Sequence, residues 1–473
     1  MMLSPRGVNI SRLSLLFVLL ALLYLFRELW FPSAFPLPSV TPSKLKPAKS
    51  SASKGSSQPD CRTLPGAEDV LVVLKTGATE IYEKLPEHFL TLFECTPNYL
   101  IFSDLEQDIG DHHVYDALDE VSSEHKDNHA DFELYRKLQQ YQREGQNLKA
   151  LKGNSGWNLD KWKFMPMLSK AYTMKPEAKW FVYIEADTSI SWLNLLLLLK
   201  RLDSNKSLYF GAQNVIGETT FGHGGSGFVV SNAAAKKLED LQQRDGRAFV
   251  EKWEKITSES CCGDEIVARA FVEVNVHLTP AWPLIQGETV ATIDWTQRHW
   301  CTPAVTWHHV SPNEIDTMWK FQKAWVDEKG WKTPYLYRDV FQHFVDQHIH
   351  VNRTDWINIS QDWKFEKPSS ADSSFEDSVS DHSDVNRGKP FSKLAEDEQR
   401  SVNSFDECAV ACLNKEDCKQ YMWEPGRCRL GRDIRLGRSE EKGGMGVKSG
   451  WMQDRVEDFR RSLEPCQPNW KFG

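Results

Sequence analysis

The sequence has no surplus of positive charge. Its 57 Lys and Arg face 66 Asp and Glu, a formal net charge of −9, which argues against nucleic-acid binding. It lacks both GxGxxG and Walker spacing, so its glycine cluster is neither a dinucleotide loop nor an ATP phosphate loop. It lacks C-x2-C knuckles. The spacing C-x3-C-x5-C-x9-C from Cys408 to Cys428 therefore reads as a disulfide-stapled module rather than a zinc site. It has no internal repeat. No small-x-small cleavage site follows its first apolar run, which argues against a removed signal peptide.

That run is Leu13 to Phe26, apolar apart from Ser14. Arg6 and Arg12 precede it with no acid, and Trp30 and Phe31 follow as interfacial aromatics. The pattern predicts a cytosolic tail over 1–12 and a signal anchor over 13–31, with the remainder in the lumen. So short a span suits the thinner membranes of the early secretory pathway. Residues 32–59 are rich in Pro, Ser and Lys and poor in large apolar residues, a stem. Ten cysteines fit an oxidising compartment. Asn205, Asn352 and Asn358 each head a glycosylation sequon.

After the stem, Glu68 to Gly77 and Pro97 to Asp104 read as strands of a β-α-β unit, with a helical stretch between them. Trp157 to Met174 reads as one amphipathic helix. Residues 60–350 are long enough for one sizeable α/β domain. Residues 351–400 turn Ser-, Asp- and Glu-rich, a second linker, and 401–473 carry the cysteine-rich module.

The chemistry concentrates between Trp180 and Ser231. WFVYIEADT is an apolar strand ending in Glu185 and Asp187. Acids at the carboxyl end of a buried strand suit a divalent cation holding a phosphorylated ligand. The bland alternative is that Asp187 caps the next helix. FGHGGSGFVVS, with Gly224 and Gly225, allows close backbone approach to a sugar or acceptor. His308 and His309 follow an apolar AVTW, and an imidazole beside carboxylates suits manganese. Asp264 and Glu265 open a short helix after Cys261-Cys262-Gly263. One of them reads as a general base, or both as first-turn acids favoured by the helix dipole.

WFVYIEADT, FGHGGSGFVVS, CCGDE and TWHHV together resemble glycosyltransferase family 31, the fringe and core 1 β1,3-galactosyltransferase group. The closest look is that of fungal-type members with a C-terminal PAN/apple-like module. The resemblance implies a GT-A fold, a Rossmann-like mixed α/β sheet, plus that small disulfide-rich module. It implies a type II Golgi membrane protein using Mn2+ to transfer a hexose, with inversion, from a UDP-sugar to a glycan or glycoprotein acceptor. On it, Asp187 and His308 would bind the metal, with His309 as the lesser choice, and Glu185 would face the sugar or nucleotide. Asp264 would be the base, with Glu265 as the alternative. Thr76, Gly77 and Asp104 would hold uridine, and Lys161 or Lys163 a phosphate. The chain departs from the family's aspartate triplet at Ala186 and at Glu185. That departure favours a rival reading, a degenerate transferase fold that binds glycans or proteins. A metal-free glycoside hydrolase with two carboxylates is a further alternative.

Overall fold

The computed structural model describes residues 59–367, 386–440 and 446–472. The expected anchor at 13–31 and all but the last residue of the expected stem lie outside the described residues. Among the described residues no helix is long and apolar enough to cross a membrane.

Strand β1 (Val70–Lys75) has the sequence VLVVLK and is buried throughout. A strand apolar on both faces belongs at the centre of a parallel sheet covered on both sides. It pairs in parallel with β2 (Asn98–Ser103) and with β5 (Trp180–Glu185). Outside β2 lie β3 (Gln107–Ile109) and β4 (His112–Asp116). Outside β5 lie β7 (Tyr209–Gly211), β10 (Phe228–Ser231) and β11 (Leu278–Pro280), with β10 antiparallel to both β5 and β7. The order β11-β7-β10-β5-β1-β2-β4-β3 makes one eight-stranded mixed sheet. The result is a mixed α/β architecture consistent with the expected GT-A-like fold.

Alternation along β1 sends Val70, Val72 and Leu74 to one face and Leu71 and Val73 to the other. The first set packs with Trp192, Leu195 and Leu198 of the helix Trp192–Leu199. The second packs with Phe164, Met167 and Leu168, and with Ile266 and Ala270 of the helix Gly263–Glu273. Each such fully buried aliphatic side chain contributes roughly 1.5–3 kcal/mol.

Two short ribbons frame the carboxyl end of the sheet. β6 (Ser189–Ile190) pairs with β12 (Thr306–Trp307), and β8 (Gln213–Ile216) with β9 (Thr219–Gly222). The stretch expected as one helix over Trp157–Met174 is broken into a helix Ser155–Asp160, a 3-10 turn Lys161–Lys163 and a helix Phe164–Met174. Pro166 has no N–H to donate and falls in the first turn of the last piece, where none is needed.

The C-terminal module is a sheet of β13 (Arg353–Thr354), β15 (Trp363–Glu366), β16 (Gln420–Glu424), β17 (Arg427–Gly431) and β19 (Lys448–Trp451), in the order β13-β19-β16-β17-β15. A ribbon of β14 (Trp356–Ile357) and β18 (Arg438–Ser439) lies beside it. Three of the module's strands, β13, β14 and β15, come from the 351–400 stretch expected to be linker. They do so because Phe365, fully buried, completes the apolar cluster around Cys408, Cys412 and Leu430. The disulfides Cys408–Cys428 and Cys412–Cys418 select one of the three pairings those four cysteines allow. Cys61–Cys95, Cys261–Cys262 and Cys301–Cys466 account for the rest.

Cys301–Cys466 joins the α/β part to the C-terminal tail. Trp295 forms a bridge with Ile434, and the nearly buried Arg435 reaches Asp294 and, at 3.4 Å, Asp362. Trp295, Trp300, Phe341, Ile434, Leu436, Trp451 and Val456 form one apolar cluster. The module therefore shares a core with the larger part instead of standing apart from it. Asn358 is fully buried, its Nδ2 donating to the Tyr421 carbonyl at 3.1 Å, so of the sequons at Asn205, Asn352 and Asn358 the first two are exposed.

Trp451 is fully buried and donates Nε1 to Gln420 Oε1 at 3.1 Å. Trp451→Ala is expected to cost about 3–5 kcal/mol. In denaturant titrations followed by far-UV circular dichroism, the whole transition should move to lower denaturant, with no separate early step for the module.

Candidate active site

The parallel register of β1 with β5 sets Lys75 opposite Glu185. The residues that follow these strands, and those that follow β2, therefore meet at one edge of the sheet, where open α/β proteins place ligands. Lys75 is almost fully buried. It forms ion pairs with Asp160 and, at 3.1 Å, with Glu185, and its ammonium lies 4.5 Å from the centre of the Phe164 ring. Burial alone would lower its pKa, but Asp160 and Glu185 outweigh that and hold it above the usual lysine value.

Asp187 lies just beyond β5. One carboxylate oxygen, Oδ2, accepts from Lys84 Nζ at 3.1 Å; the other, Oδ1, lies 3.4 Å from His308 Nε2. Burial would raise this carboxyl, but the His308 hydrogen bond and the Lys84 charge prevail and hold it far below its ordinary value. Asp187 does not cap the helix that follows; Ser191 does, accepting from the Asn194 N–H at 3.1 Å. His308 is delivered by the β6–β12 ribbon, and the turn behind it is fastened by Val310 N–H donating to the Asp187 carbonyl at 3.1 Å. His309 takes a positive φ of 57°, uncommon for any residue other than glycine.

Asp187, His308 and His309 offer ligand atoms that all lie within 4.8 Å of one another. Two further observations fit a divalent cation there. His308 Nδ1 is buried without a hydrogen-bond partner among the described residues. Around the cleft Glu80, Asp104, Asp160, Glu185 and Asp187 set five carboxylates against the three ammonium groups of Lys75, Lys84 and Lys163. That excess of negative charge suits a cation.

Asp264 sits in the first turn of the helix Gly263–Glu273. Its Oδ2 accepts from Gly224 N–H at 2.8 Å and its Oδ1 from Glu265 N–H at 3.0 Å. Its pKa is pushed up to about 6, chiefly by burial, with the nearby Glu185 charge adding to the shift. A carboxyl poised near neutrality suits general acid–base work. Glu265, also buried, instead lies 3.8 Å from Arg269 on its own helix.

Of the residues singled out in the sequence, Glu185, Asp187, Gly224, Gly225, Asp264 and His308 converge on this edge. A Cβ on Gly225 would stand 2.1 Å from His308 Cε1, and one on Gly224 3.3 Å from Glu185 Oε1. Thr76, Asp104 and Lys163 form a buried layer beside them, with Gly77 half-buried at its edge. Lys163 donates to the Thr76 carbonyl at 2.9 Å and pairs with Asp104 at 3.1 Å; Asp104 also accepts from Ala78 N–H at 2.7 Å. Asp104 and Lys163 are thus engaged within the protein, while the buried Thr76 Oγ1 has no partner among the described residues. Lys161 turns away, to the Ser260 carbonyl and to Asp131. Ala186 is buried in the apolar cluster on one face of the sheet, and His88 donates to its carbonyl at 2.9 Å.

Lys75, Lys84, Asp160 and Phe164 were not anticipated from the sequence. A lysine closing the apolar run of β1 was a signal for the first. Nothing local marks Lys84 or Asp160 as site residues, since Asp187 and Lys75, the partners that draw them into the cleft, lie far away in the chain.

The mixed α/β sheet thus carries, at its parallel strand ends, a carboxylate–imidazole cluster that could hold a metal ion and a carboxyl of raised pKa. Residues 67–282 match the family model described as Fringe-like, which supports a glycosyltransferase over that stretch. Glu185, Asp187, Gly224, Gly225 and Asp264 fall inside the match; His308 and His309 lie beyond it. No curated protein matches the chain.

Gly225→Ala must displace the His308 ring. It is expected to weaken any binding of a divalent cation at this cluster, measured by isothermal titration, by about tenfold or more, as displacement of one ligand atom implies. The far-UV spectrum should stay unchanged.

Proposed function

We propose that this chain is an inverting glycosyltransferase. It would move a hexose, galactose or N-acetylglucosamine, from a UDP-sugar to a hydroxyl of a glycan or glycoprotein, in β1,3 linkage. The observation that carries the reading is Asp264: a half-buried carboxyl whose pKa is pushed up to about 6, held by Gly224 N–H, in the same cleft as Glu185. Asp187 and His308 would hold Mn2+, which when bound neutralises the leaving diphosphate. Glu185, anchored by Lys75, would meet the donor sugar or its nucleotide. The unpartnered Thr76 Oγ1 is available to a ligand at the ends of β1 and β2. Asp264 would take the proton of the acceptor hydroxyl as its oxygen bonds to the anomeric carbon and the bond to UDP breaks.

The departure at Ala186 weighs little against catalysis. That side chain packs into the apolar cluster, so an acid there would not replace what Glu185 and Asp187 supply. The paired cysteines support the further proposal of an oxidising, luminal setting, with a Golgi type II anchor at 13–31.

The test is UDP release by a fragment spanning 59–473 with UDP-galactose, UDP-N-acetylglucosamine and UDP-glucose, with and without Mn2+. Release from one donor only with Mn2+ is expected; no release and no UDP binding would favour the binding-protein reading. Asp264→Asn should keep UDP binding and lose about 10²–10⁴-fold in kcat. Because the base acts deprotonated, kcat/KM of the unaltered chain should fall as pH drops through about 6. A pH-independent kcat/KM between 5 and 8 would remove Asp264 from that role.

Burial raises the folded-state pKa of Asp264, so ionising it opposes folding. The cost is absent below the ordinary carboxyl range and grows as pH rises toward about 6. Asp264→Asn should therefore stabilise the chain at pH 8, by on the order of 1–2 kcal/mol in urea unfolding, and hardly at all at pH 4.

A further inference from the structure

The three lysines of the cleft differ in their freedom. Lys75 and Lys163 are almost fully buried, each between two carboxylates. Lys84 has a side chain 26% exposed and sits on the rim, where it pairs with Asp187 at 3.1 Å and with Glu80, one helical turn earlier, at 3.0 Å. It takes one oxygen of Asp187 while the other faces His308. A cation held by Asp187 and His308 would draw on the same carboxylate charge and would repel the ammonium beside it. A lysine ammonium is a compact charge on a four-carbon stem that can swing to a new partner. A nucleoside diphosphate brought to that cation offers the nearest such partner, because its negative charge exceeds what one divalent ion neutralises.

We propose that Lys84 is a built-in counter-ion, holding Asp187 in place before the cation arrives and passing to the diphosphate once cation and nucleotide are bound. The inference rests on the reading of this cleft as a metal and nucleotide-diphosphate site. It assigns Lys84 two effects of opposite sign. Toward the cation alone Lys84 is a competitor; toward the nucleotide with the cation present it is a ligand. A lysine that merely braces the helix Ile81–Lys84 against the sheet would not produce opposed effects.

The experiment is isothermal titration of the 59–473 chain, first with Mn2+ alone and then with UDP at saturating Mn2+. The proteins compared are the unaltered chain, Lys84→Met, Lys84→Gln and Lys84→Arg. For both uncharged variants the expected result is Mn2+ affinity raised about two- to fivefold and UDP affinity lowered about two- to fivefold, the range for one partly exposed charge pair. Lys84→Arg should keep most of the UDP affinity. If both affinities fall together, or neither changes, Lys84 is only structural and the inference is overturned. If the unaltered chain binds neither Mn2+ nor UDP, the metal–nucleotide reading fails, and this inference with it.

Discussion

Parallel pairing of one fully buried strand, Val70–Lys75, with a neighbour on each side is the constraint on which the site depends. The register sets Lys75 against Glu185 and brings the chain after Ser103 alongside. Both faces of the strand are covered by helices, so it cannot slip by one residue without turning apolar side chains away from their partners on both sides. The helices Phe164–Met174 and Gly263–Glu273 are positioned by the same packing. Asp160 and Asp264, which no strand carries, reach the sheet edge because of it.

At that edge charge is balanced by pairs rather than by water. Lys75, Lys84 and Lys163 each touch two carboxylates, while Asp264 instead accepts from backbone N–H groups and has its pKa raised by burial. Desolvation alone would neutralise every group here. Lysine charges hold Asp160 low, and with the His308 hydrogen bond hold Asp187 low, whereas at Asp264 burial prevails and raises the carboxyl. Ion pairing holds Asp187 low while burial holds Asp264 high, so ligand-binding and proton-accepting tasks fall to different carboxylates in one cleft.

The C-terminal module lies within the same architecture. Trp451, Ile434 and Leu436 complete a core most of whose other members come from residues 293–349, and Cys301–Cys466 closes that junction covalently. The ribbon and turn that present His308 lie in the same stretch as Trp295, Trp300 and Trp307, all in this cluster. A module that reads as an appendage in the sequence thus packs against the segment that supplies the imidazole.

Much of this was written locally. Apolar runs marked the strands at 70–75, 98–103 and 180–185, since a buried parallel strand must be apolar on both faces. The acids after WFVYI, the glycines of GHGGSG and the acids after Cys262 marked positions that converge. The break within Trp157–Met174 was not legible, because Lys161 and Lys163 turn toward partners that only the folded chain provides. Nor did composition show that 353–366 would supply strands to the C-terminal sheet, since Phe365 is useful only where a cluster awaits it. The sequence by itself determined the strands, the cysteine-rich module and the residue types of the site, because these follow from short-range hydrophobic pattern and spacing. Only the tertiary structure decided which lysine meets which carboxylate, which cysteines pair, and that Ala186 faces apolar side chains. Each of those depends on contacts between segments far apart in the chain, and no local pattern encodes them.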